Sequence, residues 1–376
     1  MVSFLESINK VFGGGHRGPI LGIDIGSSSI KVALIEKADE KIVLRNYGEI
    51  SLGPRAGASV GQATNLPPEK IAEALRDLLK EAGITASHTL IAIPFNASLL
   101  SVVELPDVGN KELNSMVPLE ARRYIPVPIA EVSLDWWVLP KRKSDMKPPA
   151  VSGAESVKTV GKVEVIIAAI HNEVIKKYES IKRDAQIPGA ASHFEIEIFS
   201  TLRAVVGSDL SPILVIDTGA GSTKLALVDE GVVRGSHVIS MGGQDITLGL
   251  SRSQGITFDK AEEIKCRVGI VGDGEGRDVS AVSELLLASI MNESARFAEN
   301  YEHKHNTKIS KIILVGGGSR LKGIEKIVAQ NFQSIPISIG DPFNRVDTPA
   351  FLSSTINEIS PNFAVAIGVA LKGLEE

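Results

Sequence analysis

Leu21-Gly22-Ile23-Asp24-Ile25-Gly26-Ser27-Ser28-Ser29-Ile30-Lys31-Val32-Ala33-Leu34 returns, half a chain later, as Leu214-Val215-Ile216-Asp217-Thr218-Gly219-Ala220-Gly221-Ser222-Thr223-Lys224-Leu225-Ala226-Leu227. In each copy an apolar run ends near an aspartate, a turn of small residues follows, and a second apolar run leaves past a lysine. Asp24 overlies Asp217, Gly26 overlies Gly219, Ser29 overlies Ser222 and Lys31 overlies Lys224. Repetition at half length predicts a bilobal chain built from two related sheets, each presenting a β-turn-β with an aspartate at its mouth.

Small residues let such a turn curl around an anion with its N–H groups inward, and hydroxyls add donors without bulk. Ser27 to Ser29 and Gly219 to Thr223 therefore read as two phosphate cradles. Facing each other across a cleft, they would grip a polyphosphate from both sides and crowd negative charge unless a cation were present. Asp24 and Asp217 offer oxygen ligands, direct or through water, of the kind Mg²⁺ takes. Lys31 adds a point charge on the phosphates. Either hairpin alone is as well explained by glycine in a tight turn that the aspartate caps or braces. The pair, together with a third element, favours a bound ligand. That element is Lys311-Ile312-Ile313-Leu314-Val315-Gly316-Gly317-Gly318-Ser319, a buried-type strand running through three glycines into a helix at Leu321 to Gln330. Its glycines serve close packing alone, or let a base or ribose lie flat on the backbone. It is neither a G-x-G-x-x-G fingerprint nor a P-loop.

Outward from these motifs, Pro67 and Pro68 open an amphipathic helix with Ile71, Leu75, Leu78 and Leu79 inward and Gly83 as its stop. A strand follows at Thr89 to Pro94. Residues 87–188 change pattern: strands at Ser98 to Leu105, Val132 to Leu139 and Val163 to Ala169, and helices at Lys111 to Tyr124 and Asn172 to Ala185, read as a compact α+β unit. Trp136 and Trp137 are adjacent in a strand and so face opposite ways, one into the core and the other available as a partner anchor. Residues 141–161 are polar and aperiodic and read as a mobile hairpin loop, with Lys141, Arg142, Lys143, Lys147 and Lys158 either solvated or a docking patch. At the N-terminus, Phe4, Leu5, Ile8, Val11 and Phe12 share one helical face before the break at Gly13-Gly14-Gly15. That helix docks on its own body, or on a membrane or partner.

Composition bounds the rest. With 40 Lys+Arg against 45 Asp+Glu among 376 residues, the chain has a net charge of -5 and no electrostatic drive toward nucleic acid or anionic lipid. The length calls for two or more packed units. Cys266, the single cysteine, cannot form an internal disulfide, which fits a reducing, cytoplasmic setting, and it reads as buried filler. No apolar stretch approaches the ~20 residues that span a bilayer, and no signal-peptide pattern opens the chain. The histidines show no zinc-ligand spacing.

IDIGSSSIK, IDTGAGSTK and ILVGGGSRL resemble the first phosphate, second phosphate and adenosine motifs of the actin-like ATPase superfamily, which includes actin, sugar kinases, the heat-shock chaperone ATPase domain and the division protein FtsA. By that resemblance Asp24 and Asp217 organise Mg²⁺. Gly26, Ser27, Ser28, Ser29 and Lys31 hold ATP phosphates, as do Gly219, Gly221, Ser222 and Thr223, and Gly316, Gly317, Gly318 and Ser319 receive the nucleoside. Within the superfamily, Leu105-Pro106-Asp107 and Leu119-Glu120-Ala121-Arg122-Arg123-Tyr124-Ile125-Pro126-Val127-Pro128 are similar to the inserted subdomain of the PilM family of type IV pilus assembly proteins, of the type shared with FtsA. Glu195 to Arg203 resembles the connecting helix after that insert, with Glu197 near the metal water as the catalytic candidate. Here the sequence has Glu-Ile-Glu-Ile where the family more often shows Asp-Val-Glu-Ser, so a plain helix-start glutamate stays open for Glu197. Ala261 to Arg267 resembles the helix on the nucleoside side of the site, giving Glu262 and Lys265 as contacts. Their alternative is an ordinary ion pair three residues apart.

The resemblance implies an actin-like, ribonuclease H-like bilobal α/β fold. Its first lobe comprises 1–86, 189–211 and 354–376, with the FtsA/PilM-type insert at 87–188. The second comprises 212–242 and 309–353, with a smaller subdomain at 243–308. It implies a cytoplasmic ATP-binding scaffold, peripheral to the inner membrane through its partners in the pilus complex. Foremost among these is the N-terminal cytoplasmic segment of PilN. Hydrolysis would be slow or absent, and self-association possible. Two alternatives stand beside it. A small-metabolite kinase on the same fold would need a general base and an acceptor pocket. An FtsA-like division filament protein would carry an amphipathic tail, whereas the run from Ala364 reads as a core helix returning to the first lobe.

Overall fold

The computed structural model describes residues 18–142, 161–187, 192–270 and 277–375. The segment at 3–12 and most of 141–161, including Lys143, Lys147 and Lys158, lie outside the described residues.

Two five-stranded sheets share one plan. The first has the order β3-β2-β1-β4-β8, from β1 (Ile20–Ile25), β2 (Ser29–Ala38), β3 (Lys41–Ser51), β4 (His88–Ile93) and β8 (Ser192–Ile196). The second has β11-β10-β9-β12-β13, from β9 (Ile213–Thr218), β10 (Thr223–Asp229), β11 (Val232–Ile239), β12 (Lys311–Val315) and β13 (Ile337–Ile339). In each, an antiparallel meander leads into two parallel strands. The half-length repeat is therefore a repeat of topology. It extends to β3 and β11, which the sequence reading leaves unassigned, because both are half-exposed meander strands with broken alternation.

β1 is buried on both faces and reads as a continuous apolar run. On one face, Leu21, Ile23, Val32 and Leu34 share a core with Ile71, Leu75, Leu78 and Leu79 of α1 (Pro68–Glu81). On the other, Ile20, Ala33, Ile35 and Leu90 pack under α10 (Ala364–Glu375). Proline in the first turn starts α1, and Gly83 at φ 60° ends it. α10 is apolar nearly all round and lies against β1, β2, β4 and α4 (Glu197–Val205), in line with the core helix expected from Ala364. Its backbone comes so close that a Cβ on Gly368 would overlap the Ser200 carbonyl. Gly368→Ala is accordingly expected to cost about 1–3 kcal/mol, read as a lower urea midpoint. An unchanged midpoint would show that the two helices are not in backbone contact.

The third sheet, β5-β7-β6, is antiparallel and runs through β5 (Ser98–Pro106), β6 (Val132–Val138) and β7 (Lys162–His171), with α2 (Asn110–Ala121) on one face. β7 alternates between two cores. Val163, Val165, Ile167 and Ala169 join Leu113 and Val117 of α2, whereas Ile166, Ala168 and Ile170 join the main core. The sheet is thus packed onto the molecule. It occupies a narrower span than 87–188, since β4 is a first-sheet strand and α3 (Asn172–Asp184) packs on α1. Both tryptophans are half-buried and used internally: Trp136 joins the insert's core and Trp137 meets Phe199 with ring centroids 5.5 Å apart and planes tilted by 56°.

Three boundaries differ from the sequence reading. Ser192–Ile196 is a strand paired parallel with β4, so Glu195 ends a strand and the helix starts at Glu197. The helix expected at 111–124 stops at Ala121, before Pro126 and Pro128. After β12 the glycines form a 3₁₀ turn, Gly317–Arg320, and α8 (Ile324–Asn331) begins only after Gly323. Covering the second sheet are α5 (Gly243–Gln254), α6 (Phe258–Val268), α7 (Arg277–His305) and α8. Among the described residues no helix is long and apolar enough to cross a membrane.

Candidate functional site

The repeated hairpins build matching turns. Gly26 N–H donates to the Ser29 carbonyl at 3.0 Å, and Gly219 N–H donates to the Ser222 carbonyl at 3.0 Å. Strand register sets Asp24 opposite Lys31 and Asp217 opposite Lys224. Both turns open on one cavity of about 520 Å³, within the usual range for a small-molecule site.

Of the residues singled out by sequence, Asp24, Gly26, Ser27, Ser28, Ser29 and Lys31 line this cavity from the first sheet. Asp217, Gly219, Gly221 and Ser222 line it from the second, with Glu262 and Lys265 of α6 and the Gly316-Gly317-Gly318 turn. Two do not. Thr223 is fully buried and donates to the Met241 carbonyl, tying β10 to the segment after β11, and Ser319 is buried and donates to the Gly316 carbonyl, closing its own turn. Successive strand side chains face opposite ways, and in β10 it is Lys224 that looks into the cleft.

Glu197 opens α4 and is 4% exposed. Its Oε1 accepts the Phe95 N–H at 2.7 Å and lies 3.1 Å from Lys224 Nζ, which is also 3.7 Å from Asp217 Oδ2. Burial works against the Lys224 ammonium, but Glu197, Asp217 and Asp24 together hold it protonated beyond the usual lysine range. Burial pushes the Asp24 carboxyl up to about 7, with Lys31 opposing and Glu197 adding to the shift. Lys31 itself donates to Ser29 Oγ at 2.6 Å and pairs with Glu49 at 3.2 Å. Glu195 serves the helix instead. It is forked onto Arg203 at 2.7 and 2.8 Å and accepts from Ser200, bracing α4.

At the far end, Lys265 Nζ donates to Gly243 O at 3.1 Å, Thr247 Oγ1 at 2.9 Å and Glu262 Oε2 at 2.7 Å. The expected ion pair of Glu262 and Lys265 therefore exists, and it sits on the cavity wall. Cys266 beside it is exposed and lines the same wall, contrary to the buried filler expected, because α6 turns that face to the cleft. Gly316 at φ 78° leaves room that a Cβ would take from the Asp217 carboxylate. The segment after Gly57 straps the opening. Thr64 N–H donates to Ser27 O at 2.8 Å, Ala63 N–H donates to Gln244 Oε1 at 3.1 Å, and Gly61 lies against Glu262.

Among the lining residues that sequence reasoning missed are Lys224, Gln244 and Asn362. Lys224 was signalled by its match to Lys31 in the repeat. Gln244 and Asn362 belong to no motif. The Asn362 side-chain oxygen is buried without a hydrogen-bond partner among the described residues, a polar atom awaiting a ligand. This arrangement fits a nucleoside polyphosphate: paired turns of backbone donors, a glycine shelf, and an unsatisfied acceptor. Among the described residues no group of three or more His, Cys, Asp or Glu is placed to hold a metal by itself. Two aspartates nonetheless suit Mg²⁺, which keeps waters and takes phosphate oxygens.

A family model described as type IV pilus assembly protein PilM matches residues 22–374. Among solved structures, the chain is similar to that of the PilM-PilN type IV pilus biogenesis complex, with a TM-score of 0.76 and 26% identity, covering 95% of this chain and 99% of that one. MreB5 of Spiroplasma citri, solved with ADP, shares the fold at a TM-score of 0.52 and 12% identity, over 94% and 95% of the two chains. Cell division protein FtsA of Neisseria meningitidis serogroup B is 27% identical over 373 residues, 88% of this chain and 86% of FtsA. The two matching sheets with the cleft between them are the lobes of an actin-like fold. With the match running through both hairpin turns, the third sheet and the Gly316-Gly317-Gly318 turn, the chain belongs to the PilM family of type IV pilus assembly proteins.

Proposed function

We propose that the chain is a nucleotide-dependent scaffold of the pilus inner-membrane assembly, binding Mg-ATP between its lobes and the cytoplasmic N-terminal segment of PilN as its partner. The observation that carries this is the pair of matching turns, with Asp24 and Asp217, facing one cavity. A nucleotide favouring the closed cleft would shift the population toward the form that presents the insert. The likeness to the PilM-PilN complex supports the partner, and that to MreB5 with ADP fits the ligand. Asp24 and Asp217 would hold Mg²⁺, which neutralises phosphate charge when bound. Glu197 Oε1 is held by the Phe95 N–H and Lys224, which fits a slow or absent turnover. The FtsA likeness keeps filament formation as a second reading, which pelleting with ATP examines.

The test is titration of the chain with Mg-ATP, with and without a peptide copying the PilN N-terminus. Asp217→Ala is expected to weaken ATP by about tenfold or more with its circular dichroism spectrum unchanged. ATP affinity equal to wild type would remove the two-turn site. Binding of ATP but not peptide would return the partner to the wider superfamily.

A further inference from the structure

Three carboxylates, Asp24, Glu197 and Asp217, converge on the cleft where the proposed polyphosphate brings still more negative charge. Of the two lysines set opposite aspartates by strand register, Lys31 is drawn to Glu49 and Ser29. Lys224 is the one set among the acids. Its ammonium stands between Glu197 Oε1 and Asp217 Oδ2 and reaches to about 4.0 Å from where a Cβ of Gly219 would lie, on the second phosphate turn. Glu197 Oε1 accepts the Phe95 N–H as well as facing Lys224. A lysine is a compact charge on a flexible stem; a slight swing moves this one from the acids to a phosphate at the turn without leaving the cleft.

We infer that Lys224 is a built-in counter-cation of the polyphosphate site, supplying between Glu197 and Asp217 part of the neutralising charge that a divalent metal would otherwise bring. The inference rests on the nucleotide reading and deepens it. The cleft then holds ATP with only a modest dependence on Mg²⁺.

The test compares ATP affinity of the full chain in Mg²⁺ and in EDTA, by calorimetry, for wild type, Lys224→Met and Lys224→Arg. Wild type is expected to weaken by less than about tenfold when metal is removed, Lys224→Met by at least about tenfold more than wild type, and Lys224→Arg to stay near wild type. A wild type that loses about a hundredfold or more in EDTA overturns the inference without any variant. So does a Lys224→Met protein with the wild-type ratio. Wild type that binds no ATP under either condition overturns the nucleotide reading itself, a failure visible before any variant is made. Because the readout is a ratio within each protein, a general loss of fold in one variant does not imitate the expected pattern.

Discussion

Glu164→Ala is expected to destabilise the chain by about 3–5 kcal/mol, the usual cost of removing one partner from a buried ion cluster, and to loosen the third sheet from the second lobe. Glu164 lies on β7. Its two oxygens accept Arg142 Nη2 at 2.8 Å each, and Oε2 also accepts Arg234 Nη1 at 2.8 Å. Arg234 comes from β11 and ties back through Nη2 to the Pro140 carbonyl at 2.6 Å. Arg142 Nε is 3.6 Å from Asp229 of β10, which accepts Tyr301 OH at 2.8 Å, and the guanidinium sits 5.7 Å from the Tyr301 ring. The arginine side chains are only 5% and 1% exposed. Without Glu164, two desolvated guanidinium groups are left with one carboxylate fewer, and both the β7 and β11 ends of the contact lose their bridge. A lower urea midpoint, with faster proteolysis inside residues 98–171, is the expected result. A cost under about 1 kcal/mol would place the cluster with ordinary surface pairs. Replacing Arg142, Glu164 and Arg234 together by apolar residues of similar volume should be milder than Glu164→Ala, because both buried guanidinium groups leave with their carboxylate and Asp229 keeps the Tyr301 OH.

Arg142 also shows what a sequence hides. In the cationic segment it looks solvated; its burial comes from three strands that converge on it, two of them from the other lobe. Local signals fared better. The hairpin repeat located both sheets because each copy carries its own apolar runs and turn. It also contained Lys224, which the alternation of strand faces would have favoured over Thr223 as the cleft residue. Glu195-Ile196-Glu197-Ile198 fits a period of two as well as the start of a helix, and only pairing with β4 decides that the strand ends at Ile196. Gln244 and Asn362 reach the cleft through helix and turn placement alone, with no motif to announce them.

Asp24→Asn is expected to make the nucleotide-free chain more stable at pH 8 while weakening its affinity for Mg-ATP. In the folded chain, burial raises the Asp24 carboxyl from 3.8 to about 7, with Lys31 and Lys224 opposing and Glu197 and Asp217 adding to the rise. A raised carboxyl binds its proton more tightly folded than unfolded, so its contribution is neutral below about pH 4. It becomes unfavourable as pH climbs toward 7 and levels off above that. The gap between 3.8 and about 7 corresponds to on the order of 4 kcal/mol at pH 8. Asparagine keeps the shape without the charge and escapes this cost. In EDTA the melting temperatures of wild type and Asp24→Asn should therefore coincide near pH 4 and separate in favour of the variant by pH 8. A difference independent of pH would show that Asp24 is not the titrating group. With Mg-ATP present the gap at pH 8 should narrow. Ligand at about a thousand times its dissociation constant adds about 4.1 kcal/mol to the protein that binds it, and less to a variant that binds it more weakly. A carboxylate held at such cost in a cleft that a cation and a polyphosphate would relieve marks Asp24 as placed for binding rather than for folding.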